Sequence, residues 1–412
     1  MIERNMIQHC RYLLEHFPAI AILGPRQVGK TMLAKQLGLT WAYFDLESPD
    51  NYQRISLDPV LFFKQYSDRV IIDEAQFIPS LFNTLRGVID ADRQKMGRFI
   101  LTGSSSPELL KQVSESLAGR IAIVELGTLK ANEFYQIPLS PLYELFENKI
   151  TQQSIEILRK KTSQPLQNAQ MVNHWLQGGY PEPVLAKDKR FYDQWMDAYR
   201  VSYVNRDIGL LFPRLNKVAY QRFLTTLSKL SGTIINKSHL ARDIEVDERT
   251  VREYLMIAEG TFLWRMLYSY ENNVTKSIVK MPKGYIRDSG LLNYLLRIRD
   301  LSDLYDYPQV GCLFEAFVID EIVKGLNAQG ITNYQTNYYR TRNGAEIDLI
   351  LEGYFGVVPI EIKYSTNVQL RQLVSMQNFM KEHHLSLGIV INQGERFEWV
   401  TEDIIQIPVG WL

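Results

Sequence analysis

The octapeptide GPRQVGKT, Gly24 to Thr31, sets two glycines, a lysine and a hydroxyl at the spacing G-x-x-x-x-G-K-[ST], between the apolar run AIAIL and a helical stretch. Glycine at positions 24 and 29 lets the chain turn its N–H groups inward around the phosphates of a nucleotide, and the following helix adds the positive end of its dipole. Lys30 then places a point charge on the β- and γ-phosphates, and the Thr31 hydroxyl is positioned to ligate magnesium. The expected cradle is Gly24, Pro25, Arg26, Gln27, Val28, Gly29, Lys30, Thr31 and Met32.

A second set of residues fits the same chemistry. Asp73 and Glu74 end the apolar run RVIIDEA, in the manner of a Walker B strand. Asp73 is expected to hold magnesium through its water shell, and Glu74 to orient or deprotonate the water that attacks the γ-phosphate. Thr102, at the end of RFILTG, is expected at the same sheet edge as a sensor of that phosphate. Arg120, in SESLAGR, is a candidate arginine finger, acting in cis or from a neighbouring subunit of a homo-oligomer. Guanine recognition needs an Asn-Lys-x-Asp element, and INKSH lacks its aspartate, so ATP is the expected nucleotide.

Carboxylates of a different kind lie near the other end. In GAEIDLILE, strict alternation puts Glu346, Asp348 and Ile350 on one face, opposite Ala345, Ile347, Leu349 and Leu351; in VVPIEIKYS it puts Glu361 beside Lys363. On neighbouring strands, Asp348 and Glu361 would share a divalent ion while Lys363 steadied a water for attack on a phosphodiester. Glu315, in GCLFEAFVIDEIVKGL, has no charged residue at helical spacing, which makes it a candidate third carboxylate from the helix side. The competing reading is a plain salt bridge between Lys363 and Glu361, with Glu315 paired locally.

Elements must exist to hold these groups. Over residues 1–135 short apolar runs alternate with amphipathic stretches, the rhythm of a parallel sheet with crossover helices. Residues 136–215 read as a helical, aromatic lid or linker. In 216–300, SHLARDIEVDERTVREYLMIAEG reads as helix, turn, helix, with Asp247 as N-cap and Val251, Tyr254, Leu255 and Ala258 as the apolar stripe. A hairpin with strands around Phe262 and Val279 should follow it and carry Lys276, Lys280 and Lys283, so this part resembles a winged helix, with Arg249 and Arg252 as candidate DNA contacts. Residues 301–412 supply one strongly apolar helix and then period-2 strands.

Composition narrows the class. The chain has 412 residues, 46 Lys+Arg against 46 Asp+Glu, and 46% hydrophobic residues, which excludes disorder and collagen-like architectures. With zero net charge, any nucleic acid must be held by local patches. Cys10 and Cys312 form no Cys-x-x-Cys pair for zinc or thiol exchange. No run nears the ~20 apolar residues of a membrane helix, and the first residues do not read as a secretory signal, so a cytoplasmic protein without membrane contact is expected.

Taken together, GPRQVGKT, VIIDEAQ, ILTGSSSPELLKQVSESLAGR, GGYPEP, YVNRDIG and YIRDSGLL resemble a family of bacterial and archaeal AAA-type ATPases whose C-terminal domain of unknown function is related to PD-(D/E)xK nucleases. The resemblance spans nearly the whole chain. It implies an α/β P-loop ATPase with a helical lid, then a winged-helix segment, then an α/β nuclease-like domain, with ATP and Mg2+ as cofactors and ATP or ADP as the bound nucleotide. The nuclease family's pattern would fall on Glu315, Asp348, Glu361 and Lys363. Two functions follow as expectations: ATP-gated cleavage or binding of DNA by the C-terminal half, or an ATP-controlled DNA- or protein-binding switch whose nuclease-like domain is inactive.

Overall fold

Five short, mostly apolar runs pair into one parallel sheet. These are β1 (Ala19–Gly24), β2 (Ala42–Asp45), β3 (Val70–Asp73), β4 (Phe99–Ser104) and β5 (Ile121–Glu125), in the spatial order β2-β3-β4-β1-β5. The computed structural model describes residues 2–104, 116–161, 165–209, 212–271, 281–341 and 344–412. The parallel sheet agrees with the expectation from sequence, although β5 gave no distinct signal there.

Alternate residues of the central strands, Ala19, Ala21, Leu23, Val70, Ile72, Phe99 and Leu101, pack against Phe62 and Phe63 of helix Pro59–Gln65 and against Leu81, Phe82, Leu85 and Ile89 of helix Leu81–Ala91. Burial on both faces is why β1 reads as continuous apolar sequence and not as an alternation. The strand order places β4 between β1 and β3, so every strand ends at the same edge and β4 bridges the two motif-bearing strands. This sheet and its helices form one compact unit, Met1–Leu129 with Gly260–Leu263.

The second compact unit is Lys130–Glu259 with Trp264–Leu412, so the three later segments expected from sequence share one body. It begins with helices that include Asn168–Gln177, Pro181–Ala186 and Lys189–Ser202. Helices Lys217–Lys229 and Lys237–Asp243 and the helix starting at Glu248 follow, interleaved with strands β6 (Thr233–Ile234), β7 (Trp264–Ser269) and β8 (Lys283–Ile286). The order of elements here is helix, strand, helix, helix, strand, strand. Asp247 accepts a 2.7 Å bond from the Thr250 amide, and Val251, Tyr254, Leu255 and Ala258 are buried, as their spacing predicts. The second hairpin strand is β8; Lys276, Val279 and Lys280 lie outside the described residues.

The hairpin does not stand alone. β7 pairs in parallel with β9 (Gln335–Arg340) through Tyr268 opposite Asn337 and Ser269 opposite Tyr338. The result is one nine-stranded mixed sheet, β13-β14-β12-β11-β10-β9-β7-β8-β6, where β10 is Glu346–Gly353, β11 Gly356–Lys363, β12 Gly388–Asn392, β13 Glu398–Trp399 and β14 Ile404–Pro408. Against it lies helix Val310–Gln329, which is buried on nearly every side, acids included. Its Glu321 is paired with Lys130 at 3.3 Å and Lys324 at 3.4 Å, so charge is carried into the interior in compensated form.

Close packing makes one glycine of this helix indispensable. A Cβ on Gly325 would lie 1.9 Å from the Tyr143 ring, whose hydroxyl is tied to the Glu321 carbonyl at 3.2 Å. Gly325→Ala gains helix propensity of ~1 kcal/mol but overpacks a buried ring, a cost of roughly 1–3 kcal/mol plus the loss of ring placement. We expect a net fall in thermal midpoint of several degrees by circular dichroism; an unchanged or raised midpoint would show that Tyr143 yields freely.

Candidate nucleotide site

The phosphate loop owes its shape to backbone conformations that few side chains adopt. Gly29 has φ 93° and Gln27 φ 62°, both in the left-handed region, directly before helix Lys30–Leu37. Gly24 is required for another reason: a Cβ there would sit 2.1 Å from the Leu126 carbonyl oxygen. Arg4 ties the loop to the unit beneath it, donating to the carbonyls of Val28 at 2.7 Å and Gly127 at 2.8 Å. Nothing in the sequence singled out Arg4.

Lys30 is buried, and its ammonium donates to the carbonyls of Gly24 at 3.1 Å and Pro25 at 2.8 Å, inside its own loop. Arg26, by contrast, turns to Glu47 at 3.0 Å, and Met32 is exposed. Of the expected cradle, Val28 is fully buried and acts through its backbone.

The register of the strands delivers the acidic side of the site. Ile72 stands opposite Leu101, so the next residues, Asp73 and Thr102, meet. Asp73 is buried and collects three hydroxyls: Thr31 at 2.8 Å and Tyr43 at 2.7 Å on one oxygen, and Thr102 on the other. Thr102 in turn accepts the Glu74 amide at 3.3 Å. Glu74 is left-handed, with φ 55°, and its carboxylate accepts from the Gln76 side chain. Thus Thr31, Asp73, Glu74 and Thr102, named from different motifs, come together.

Tyr43 was read only as part of a strand. Its hydroxyl is held well above the ordinary phenol range by burial and by the Asp73 carboxylate, so it stays a donor. A polar residue on the strand next to Asp73 was the available signal. Arg120 is engaged elsewhere, in a two-point ion pair with Asp90 at 2.7 and 2.9 Å on the surface of helix Leu81–Ala91. Hard oxygens from Thr31 and Asp73, already in contact, are a donor set suited to magnesium.

The C-terminal carboxylates also converge, though not as alternation predicts. Between Ile347 and Ile350 the pairing of β10 with β9 shifts, so Asp348 and Leu349 stand opposite the single residue Tyr338. This bulge resets the pleat, and Ile347 and Ile350 enter the same core cluster. Asp348 lies beside β11, accepting the Ile362 amide at 2.8 Å, and Lys363 pairs with Glu361. Asn343 of the expected turn lies outside the described residues.

Lys283 changes the reading of this cluster. Expected on a solvated wing, it is instead buried, and from β8 its ammonium pairs with Glu315 and, at 3.2 Å, with Glu346. Burial, with Asp348 and Glu346 nearby and Lys283 opposing, pushes the Glu315 carboxyl up to about 8; burial and Asp348 push Glu361 up to about 8 as well. Glu361 Oε2 is buried without a hydrogen-bond partner. Yet among the described residues no three acidic, histidine or cysteine side chains converge to hold a metal ion. With Lys283 in place the residues do not fit a divalent centre. On the helix starting at Glu248, Arg249 and Arg252 pair with Glu253 at 3.4 Å and Glu248 at 2.9 Å. Among the described residues no helix is long and apolar enough to cross a membrane.

Comparison with known proteins gives three family matches along the chain. Residues 16–135 match the sequence model of the AAA domain, residues 168–302 that of a domain of unknown function (DUF8612), and residues 310–412 that of another (DUF4143). The uncharacterized protein Rv2008c of Mycobacterium tuberculosis is 29% identical over 412 residues, covering 100% of this chain and 84% of the relative, and Mb2031c of Mycobacterium bovis matches equally. Among solved structures, the Walker-type ATPase PABY2304 of Pyrococcus abyssi aligns at TM-score 0.46 and 16% identity, over 72% of this chain and 96% of its own. The RuvB Holliday junction branch migration motor of Thermotoga maritima aligns at TM-score 0.32 and 15% identity, over 64% and 89%. By the match over residues 16–135, the first unit carries an AAA P-loop domain, a nucleotide-binding module.

Proposed function

We infer that this chain binds Mg·ATP at its AAA domain, hydrolyses it, and uses the nucleotide state to control a C-terminal half that binds a partner. The observation carrying the inference is the hydroxyl-bound Asp73, which Thr102 links to the Glu74 amide. Thr31 and Asp73 would hold the magnesium, which neutralises charge on the β- and γ-phosphates. The loop amides and Lys30 bind and orient the phosphates. Thr102 fixes Asp73 and the backbone of Glu74 together, leaving the Glu74 carboxylate to accept the proton of the attacking water. Gln76, bonded to that carboxylate, sets its orientation.

Glu74→Gln is the direct test. We expect calorimetry to give Mg·ATP affinity near that of the unaltered protein and phosphate release reduced by on the order of 100-fold or more. Equal turnover in the two would remove Glu74 from the chemistry.

For the C-terminal half, the Lys283–Glu315 pair favours the binding reading over cleavage. Cation demand at Glu315 and Glu346 is met from within the chain, and among the described residues no three acidic, histidine or cysteine side chains are grouped to hold a metal ion. The same protein samples, given plasmid DNA and magnesium or manganese with and without ATP, should leave the plasmid intact. Cleavage lost in Asp348→Ala and Lys363→Ala would reverse this assignment.

A further inference from the structure

A cavity of about 1060 Å3 opens in the second unit, and its lining includes no residue of the P-loop, the Asp73 strand end or the C-terminal carboxylates. It exceeds the roughly 300–1,000 Å3 typical of small-molecule pockets. Two short cationic repeats border it: Lys187 and Lys189, around the junction of helices Pro181–Ala186 and Lys189–Ser202, and Arg297 and Arg299, just after helix Ser289–Leu295. Each repeat places two cations two residues apart, and in each the first member is left-handed, Lys187 at φ 53° and Arg297 at φ 64°.

These four side chains make no hydrogen bond or ion pair among the described residues. Three acids share the lining: Asp188 and Asp300 accept the amides of Phe191 at 3.1 Å and Asp303 at 3.0 Å as helix caps, and Asp193 is the third. Four unpaired cations therefore face Asp188, Asp193 and Asp300 on this lining, while Arg200 is paired with Asp197 at 2.8 Å, and a small positive excess remains at the mouth. Tyrosines supply the rest. Tyr135 accepts from Asn173 at 3.1 Å, Tyr192 donates to the Gln177 carbonyl at 2.9 Å and Tyr294 donates to Asp197 at 3.2 Å. With their hydroxyls engaged by protein, what they offer a ligand is ring surface.

We propose that this cavity binds single-stranded nucleic acid. Two separate cation pairs suit successive phosphates of a strand, and tyrosine rings suit unpaired bases, a combination that neither a lone phosphate nor a paired duplex uses fully. The site goes beyond the nucleotide reading above and stands whether or not the P-loop hydrolyses ATP.

Fluorescence anisotropy of a labelled dodecathymidylate on the full chain, with saturating Mg·ATP to occupy the loop, tests it. Four phosphate contacts predict a roughly 50-fold loss of affinity between 50 and 200 mM salt. Lys187→Glu with Arg297→Glu, both exposed, should weaken binding at least about tenfold and halve the logarithmic salt dependence. Tyr135→Ala should lose about fivefold or more. Equal affinity in the charge-reversed protein, no loss in Tyr135→Ala, duplex bound as tightly as strand, or free dTTP bound as tightly as strand would each overturn the proposal.

Discussion

Lys30→Ala should bind Mg·ATP on the order of 100-fold more weakly than the unaltered protein, while Arg26→Ala should change affinity less than about threefold. Both residues belong to the phosphate loop, but the structure separates them. The Lys30 ammonium is buried and donates to main-chain carbonyls of its own loop, a position from which a phosphate can draw it. Arg26 lies in a half-exposed ion pair with Glu47, where solvent screens it. Calorimetric titration of the two variants, with circular dichroism to confirm folding, gives the comparison. Comparable losses in both would mean that the loop is rebuilt on binding and that the ligand-free hydrogen bonds do not predict roles.

The second large effect concerns stability. Lys283→Met removes the ammonium from Glu315, a carboxyl with about a tenth of its side chain exposed. Breaking a buried pair from one side typically costs about 3–5 kcal/mol, and here pH sets how much of that is felt. The Glu315 carboxyl titrates near 8 in the fold against an ordinary 4.5. Between those values the folded chain keeps a proton that the unfolded chain has lost, so this group's contribution to stability falls as pH rises from 4.5 toward 8. Without Lys283 the carboxyl must stay protonated at still higher pH. The variant's deficit should therefore be larger at about pH 9 than at about pH 6, read as urea midpoints from tryptophan fluorescence. Lys283→Met with Glu315→Leu should recover most of it. A deficit independent of pH would assign the loss to packing of the lysine stem.

How far the sequence reaches is visible in these two sites. The P-loop and the acidic strand end were legible because each is a local pattern: a glycine pair fixed by backbone geometry, and a carboxylate at the end of an apolar run. Thr102 was legible because parallel strands end at a common edge. Tyr43 and Arg4 were not, since each acts through a contact set by tertiary packing, 30 residues from Asp73 and 24 from Val28. The C-terminal cluster divides the same way. Glu315 stood out as a carboxylate without a helical partner, but its partner lies on a strand of the preceding hairpin. Strict period-2 reading failed at Asp348 because a bulge adds one residue, a change of pairing that leaves no mark in composition.

The seam between β7 and β9 bears on how this protein can be dissected. Two residue pairs join the hairpin strands to the rest of the sheet. A fragment beginning at residue 301, the natural cut suggested by motif boundaries, would strip β9 of that neighbour and take Lys283 away from Glu315. Its raw margin of unpaired amides and carbonyls would invite self-association. A piece that starts ahead of Trp264 keeps both the strand neighbour and the counterion, so the folding module at this end of the chain is larger than the motif it contains.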